Sequence, residues 1–515
     1  MKPRILLCAL LLCVFAPPLF AQWIPIRTVP IIAGNQTDFL PSVARGMGNL
    51  SIAFDDPLGD PFINPAKAQR LNGLTLFTSP TRNSWSNEDG TPVSTVRGSS
   101  SYPGAALNSV PFGGFLQRDN LFGGVLVSYQ GYNAERTQGG SNWIRPTVVG
   151  FPEPVTRSDI GNNTYVFGLF GMQFPDANVS VAGSVSWGKY GAMDGVNLLY
   201  PGSIDIRQSG WSTEYKLGII GNVTEQDRLE FVAGHSRFKA THDVTFQDPF
   251  WSGVIIPEPA YGYYRTEVNR DENREWVLSA GYRRSVNSRW TVGALLSVNW
   301  KDHPKIPNYN LANIPRDPGT STAYNIGIGA VVESERSLVG VEYIYEPVTS
   351  NTWAEAGEAY LDPRTGRVNP FVPPNFKTVE NFFRFSNHIF RLGHQSETKA
   401  GWLDYRFGVQ LHFYKYTLNQ NDNILNTSRS MTTDWLEGTL SGGFTATFSG
   451  FQLFYTLQLV LGNGLVSTVG SSAPIRLESG GMVRASNFLV APSGNLIVDN
   501  ITLITHQLAL VYHVE

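Results

Sequence analysis

Of the residue types that carry chemistry, the eight histidines come first, and two of them stand two residues from a serine. His388 follows Ser386 by two residues, and Ser396 follows His394 by two. A serine hydrolase needs Ser, His and a carboxylate or carboxamide meeting at one point. A spacing of two puts Ser and His on one face of a strand by period alone, so neither pair predicts catalysis and the chain is not expected to be an enzyme. Metal chemistry has less to work with. No histidines show a spacing of the H-E-x-x-H kind, and both cysteines, Cys8 and Cys13, fall within the first 21 residues. The glycine-rich stretches Gly327–Gly329 and Ser441–Phe444 lack a phosphate-loop pattern and read as strand glycines relieving crowding in a tilted wall. No metal and no cofactor is expected.

The elements that carry these residues alternate with period two. From Trp290 to Trp300 one face reads Trp290, Val292, Ala294, Leu296, Val298, Trp300, and the other Thr291, Gly293, Leu295, Ser297, Asn299. Ten steps of about 3.3 Å span roughly 33 Å. A tilt of about 40° projects this to roughly 25 Å, the height of the apolar band of a transmembrane barrel, with Trp290 and Trp300 at opposite membrane interfaces. The same split recurs over Leu403–Phe413, where Asp404, Arg406, Gln410 and His412 face away from the apolar set, over Phe451–Leu461 and Val339–Tyr345, and at the end in Leu508, Leu510, Tyr512, Val514 before the final Glu515. Weaker versions lie at 163–173, 177–189, 213–222, 275–286 and 322–333.

Short connections, from Gln117–Asn120 through Ser449–Gly450, alternate with long ones at about 81–106, 132–162, 190–211, 240–273, 301–321, 348–377, 417–431 and 463–500. Short turns on one side and long loops on the other are the habit of outer-membrane barrels. The long loops are rich in Pro, Asn, Asp and Gly, and Pro259–Tyr264 adds an aromatic run that is a candidate external capture surface.

Composition agrees. Only 16% of the 515 residues are charged, against about 25% in a typical soluble domain, yet the mean hydropathy is only -0.14. Strands with a lipid face and a lumen face give both properties at once. The 39 basic and 42 acidic residues leave a net charge of -3 and no basic field for nucleic acid. Residues 1–21 have a basic start (Lys2, Arg4), an apolar run from Ile5 to Phe20 and Ala21 as a cleavage residue, the pattern of a secretory signal peptide. Beyond it no run of 18 apolar residues offers a transmembrane helix.

Residues 22–70 alternate poorly. They contain Ala44-Arg45-Gly46-Met47-Gly48, then Ala53-Phe54-Asp55-Asp56-Pro57, then Asn64-Pro65-Ala66. Gly46 and Gly48 permit close packing or positive φ, Asp55 and Asp56 are candidates to cap backbone N–H groups, Asn64 can turn onto its own backbone, and Pro65 suits a helix start. The three elements, over Ala44 to Ala66, resemble the mature N-termini of the FadL-type outer-membrane transporters and their PorV-like relatives. The resemblance implies that residues 22–70 are a plug, or hatch, inside the barrel. It marks Arg45, Gly46, Met47, Gly48, Asp55, Asp56, Asn64, Pro65 and Ala66 as gating candidates.

The expectation is thus a signal peptide (1–21), a plug (22–70) and a transmembrane antiparallel β-barrel of 14 to 16 strands (71–515), in the outer membrane of a Gram-negative-type bacterium. The function the resemblance implies is passive uptake of a hydrophobic small molecule, a long-chain fatty acid or hydrocarbon, with exit when the hatch moves. Leu295, Ile344, Phe454 and Val460 on lumen faces fit that better than a porin for hydrophilic solutes. Alternatives are a PorV-like scaffold that binds a secretion cargo protein, and a general porin.

Overall fold

The computed structural model describes residues 39–71, 73–86, 93–95, 98–138, 155–193, 196, 203–248, 263–303, 319–355, 376–423, 426–468 and 496–514. The strands are β1 (Leu74–Thr78), β2 (Thr81–Ser86), β3 (Val93–Thr95), β4 (Gly98–Arg118), β5 (Leu121–Gln138), β6 (Val155–Phe174), β7 (Val179–Tyr190), β8 (Ser203–Asn222) and β9 (Asp227–Asp248). They continue as β10 (Tyr263–Ser285), β11 (Trp290–His303), β12 (Gly319–Glu333), β13 (Ser337–Glu355), β14 (Lys377–Glu397), β15 (Leu403–Asp422), β16 (Thr427–Phe448), β17 (Phe451–Thr468) and β18 (Leu496–Val514). Every neighbouring pair is antiparallel, and the last strand returns to the first, with Leu74 opposite Val514. Strands β1, β2 and β3 follow one another along the same edge of β4, so eighteen strands fill sixteen wall positions of a closed barrel.

The alternation places the side chains as the sequence predicts. On β11 Trp290, Ala294 and Leu296 are exposed on the outward face, while Gly293, Leu295, Ser297 and Asn299 are buried on the inward one. Tyr405, Phe407, Leu411 and Phe413 point outward from β15, and Arg406 and His412 inward. Leu508, Leu510 and Tyr512 of β18 are outward and exposed. A closed ring satisfies every ladder hydrogen bond and leaves no edge, so an apolar outer face can meet lipid. Among the described residues no helix is long and apolar enough to cross a membrane.

Two expectations are corrected. First, the strands run much further into the long connections than the alternation indicates. β9 and β10 stay paired from Asp227 opposite Arg284 up to Asp248 opposite Tyr263, across most of the span 240–273 expected as loop. Likewise β5 extends to Gln138, β13 to Glu355 and β17 to Thr468. Beyond the bilayer both faces of a strand meet water, so hydropathy stops alternating while the backbone ladder continues. Second, the connection expected at about 81–106 carries strand, with β2 from Thr81 and β4 from Gly98. The wall begins at Leu74, and Pro80, which has no N–H for the ladder, separates β1 from β2. The register survives, since Thr78 faces Phe112 and Thr81 faces Ser109 on β4. Residues 1–38, residues 304–318 and 356–375 of the expected long connections, and Pro259–Gly262 of the aromatic run lie outside the described residues; Tyr263 and Tyr264 open β10.

The outward face yields a direct test. Leu296, 55% exposed and midway along the apolar stretch of β11, replaced by Arg should lower unfolding stability in lipid vesicles by about 2–4 kcal/mol. Thr417→Arg, on the outward face of β15 further along toward the long connections, should change it by about 0–1 kcal/mol. Equal losses for both, measured by tryptophan fluorescence in urea, would contradict the placement of the membrane band.

Candidate functional site

Residues 39–71 form no strand. They are three tight turns tied to one another by their own side chains. Ala44–Met47 is a 3-10 turn closed by Gly48 at φ 68°, the left-handed conformation that glycine adopts without penalty. Asp56 holds this turn: its Oδ2 accepts from Ser42 Oγ (2.6 Å) and Ala44 N (3.1 Å), and its Oδ1 from Gly59 N (3.1 Å). Asn64 is fully buried; its Oδ1 accepts from Ala66 N at 3.1 Å, and Pro65 opens the 3-10 helix Pro65–Arg70. The expected roles of Asp56, Asn64 and Pro65 are those the geometry shows. Asp55 differs, because its carboxylate caps nothing in its own turn and reaches the wall instead.

The segment rests on inward faces of strands on all sides of the ring. Met47 and Gly48 lie directly on the backbone of β14 and β15. A Cβ on Gly408 would collide with Gly48 N, and one on Gly393 with Met47 O. Gly48 N donates to Ser441 Oγ of β16 (3.1 Å), and the Arg45 carbonyl accepts from Gln458 Nε2 of β17 (3.0 Å). Gly46 sits over Arg406 and Thr456. Ile52 fills a notch at Gly293, Gly327 and Gly329 and packs with Leu295 and Ile344. Those glycines therefore make room for a side chain of the segment rather than merely easing the wall, and two of the apolar lumen residues seat the segment. Phe454 and Val460 pack at the margins of two other buried clusters. Opposite, Phe62 meets Phe167, Phe115 and Phe77 at ring separations of 4.8, 5.7 and 6.3 Å, and Gly218 of β8 leaves space for Asn64 and Pro65.

Between these contacts runs a charged cluster near the short-turn end. Asp55 is bound by Arg70 (2.6 Å), by Arg228 of β9 (3.0 Å) and by Arg283 of β10. Arg283 also donates to the carbonyls of Ile52 (3.1 Å) and Phe54 (2.8 Å). Lys67, only 1% exposed, bridges Asp60 (3.1 Å) and Glu230 of β9 (3.0 Å). Four cations thus face three carboxylates around one point. Glu342 of β13 accepts from Ser51 N (2.7 Å), and Arg391 of β14 donates to Ser51 Oγ (3.0 Å). Sequence patterns do not reveal Lys67, Glu230, Arg228 or Arg283, since their meeting depends on register 150 or more residues away; the only trace is a charge on an inward position of a strand.

Burial alone would raise the Asp55 carboxyl, but Arg283, Arg70 and Arg228 outweigh it and hold it well below the usual carboxylate range. Asp60 goes the other way. Burial pushes it up to about 6, opposed by Lys67 and reinforced by Asp55, Asp56 and Glu230. Its ordinary value is lower, so the folded state binds the extra proton. Its contribution is most favourable below pH 4 and declines as pH rises toward 6. Asp55 contributes above its ordinary value and loses that contribution in strong acid.

Further toward the long-connection end, inward faces of β12 to β16 gather Phe383, Phe385, Tyr414, Tyr416, Leu418 and Trp435. Tyr414 and Trp435 stack at 4.7 Å, and Phe385 meets Tyr416 at 5.2 Å. Ser386 and His388 lie on the outward face of β14, where His388 Nδ1 meets Tyr343 Oη (2.8 Å) and Ser386 Oγ meets Tyr345 Oη (3.5 Å). His394 has Tyr405 as its ring neighbour at 6.5 Å. Trp290 and Trp300 occupy the outward face of β11 ten residues apart, Trp300 beside Trp276.

The opening free energy of residues 39–71, from amide exchange corrected for intrinsic rates, should fall between pH 4.5 and 6.5, by at most about 3 kcal/mol. Asp60→Asn should flatten that slope. Parallel slopes in the two proteins would show that Asp60 does not govern it.

No family model matches the chain, and no curated protein matches it. Among solved structures it is similar to the CymD monoaromatic hydrocarbon channel, at 12% identity over 93% of this chain and 99% of that one, with a TM-score of 0.40. It is also similar to a Pseudomonas aeruginosa FadL homologue (10% identity, 92% and 99% covered, TM-score 0.41) and to the Pseudomonas putida toluene transporter TodX (10%, 97% and 100%, 0.42). At these identities and TM-scores the likeness carries no argument about ligand or role, which rest on the side chains.

Proposed function

We propose that this chain is an outer-membrane channel for passive uptake of a hydrophobic small molecule, a long-chain fatty acid or a hydrocarbon, and that residues 22–70 are its hatch. The observation that supports the reading is the buried, inward-facing cluster of aromatic rings Phe383, Phe385, Tyr414, Tyr416 and Trp435, on the long-connection side of residues 39–71, which are bonded to inward-facing groups of the wall. A wall built for hydrophilic solutes gains nothing from an aromatic cluster on its inward face, because aromatic rings favour apolar partners. A docked segment also speaks against an open pore of the general-porin kind. The gating residues in this reading are Arg45 to Gly48 against β14 to β17, Asp55 at its three arginines, and Asn64 to Ala66 against β8. Asp56 keeps the segment's internal turn. A PorV-like scaffold role has no observation of its own here; co-purification of a secretion cargo with no ligand binding would favour it.

Purified protein should bind a fluorescent long-chain fatty acid or an aromatic hydrocarbon, and deletion of residues 22–70 should abolish retention. Unaltered uptake of both ligand types by a strain lacking the protein would refute the reading. Because the deletion removes much of the interior, a smaller lesion is also informative. Gly408→Ala, whose Cβ would strike the segment's backbone, should raise planar-bilayer conductance at least several-fold over the closed wild type. Gly168→Ala, where a Cβ meets nothing within 4 Å, should leave it unchanged.

A further inference from the structure

The outward wall of β7 to β11 carries its residues in cross-strand rows whose chemistry changes abruptly. Within the apolar band one row reads Val181, Ile219, Phe231, Ala280, Leu296. Four residues toward the long connections the row becomes Val185, Tyr215, His235, Trp276, Trp300, aromatic on β8 to β11, with His235 stacked on Trp276 at 3.9 Å. Amphipathic rings in this position mark the membrane interface. The next rows are cationic. Arg237 faces Arg274 across β9 and β10, and Lys189, Trp211 and Lys239 line up across β7, β8 and β9; Arg270 follows, opposite Thr241.

Two carboxylates accompany these five cations. Glu272 takes Arg237 (2.6 Å), Lys239 (2.8 Å) and Arg274 (3.8 Å) at once, and Asp302 stands opposite Arg274. The Arg237 guanidinium also lies 5.7 Å from the centre of the Trp211 ring. One carboxylate shared by three cations pre-positions them and leaves them short of negative charge. Lys189 and Arg270 are exposed. At about 3.3 Å per residue and a tilt of about 40°, these positions stand roughly 5–15 Å beyond the aromatic row, the depth at which the headgroup layer lies. The opposite wall differs: the equivalent rows of β14 to β16 hold Arg384, and Lys415 facing Asp434.

We propose that this tier of β7 to β10 is a binding site for the phosphate groups of a phosphorylated glycolipid in the outer leaflet. Long connections face outward in such barrels, so the rows meet that leaflet. Arginine forks and a lysine point charge suit phosphate oxygens, and the aromatic row beneath offers apolar contact for the first acyl carbons. The inference depends on the barrel and its orientation and not on what the lumen carries, so it stands or falls apart from the uptake reading.

The test uses the full chain in detergent, scored by native mass spectrometry and by thermal shift against bisphosphorylated lipid A, its enzymatically dephosphorylated form, phosphatidylglycerol and inorganic phosphate. The wild type should hold bisphosphorylated lipid A at least ten-fold more tightly than the dephosphorylated form. Arg237→Gln with Lys239→Gln and Arg274→Gln should lose at least ten-fold, while Arg384→Gln with Lys415→Gln should not. Heat-modifiable gel migration verifies folding, and Lys239→Gln or Arg274→Gln alone, each expected to lose about three-fold, serve if the triple variant fails it. Unchanged affinity in the folded patch variants would overturn the proposal. So would equal binding of the dephosphorylated form, equal affinity for phosphatidylglycerol, or full competition by millimolar inorganic phosphate.

Discussion

Everything in this molecule depends on closing the backbone ladder. In hydrocarbon an unpaired N–H or C=O costs several kcal/mol, and a sheet of this length has two edges until its last strand finds its first. Here the join is made by β18 against β1 and β2, from Leu74 opposite Val514 to Ser86 opposite Thr502. Pro80 sits in that seam and removes one donor, yet the pairing continues in register on both sides, with Leu508 N donating to the Pro80 carbonyl at 2.9 Å. Once the ring closes, each strand has one face for lipid and one for the lumen, and every later feature follows from which residues fall on which face.

The inner face is where closure creates a second demand. Sixteen strands enclose more space than their own side chains fill, and the chain meets this with residues 39–71 rather than with larger wall residues. The wall is carved to receive them: glycines at 393 and 408 admit backbone, and those at 293, 327 and 329 admit Ile52. A glycine in a strand interior normally weakens it, so these positions trade local strand preference for contact with the segment. The apolar wall residues Leu295 and Ile344 complete the seat.

How much of this the sequence discloses follows from the range of each interaction. Alternation is local, so Trp290–Trp300 and Leu403–Phe413 reveal their faces, and the short turns follow. It is legible only where lipid demands an apolar face, and hence β9 and β10 look half their length: Thr241, Asp243 and Arg270 read as loop although their backbones are paired. Asn64 and Pro65 act within a few residues of themselves and are likewise foreseeable, whereas Asp56 reaches back to Ser42 and Ala44 as well as to nearby Gly59. Lys67 with Glu230, or Asp55 with Arg228 and Arg283, join residues whose proximity is set by the accumulated register of many strands, and no spacing in the sequence encodes it.

The neighbouring carboxylates Asp55 and Asp56 divide two tasks that a single acidic residue could not perform. Asp56 turns inward on its own segment, binding Ser42, Ala44 and Gly59, while Asp55 turns outward to Arg228 and Arg283 of the wall as well as to Arg70. Internal shape and attachment are thereby held by different bonds. Charged hydrogen bonds are strong where water is excluded; the Asp55 side chain keeps 41% exposure, while Arg283, its partner on the wall, keeps 8%. In the proposed reading of residues 22–70 as a hatch, this division means that the bonds of attachment can break while those of Asp56 keep the segment's own turn.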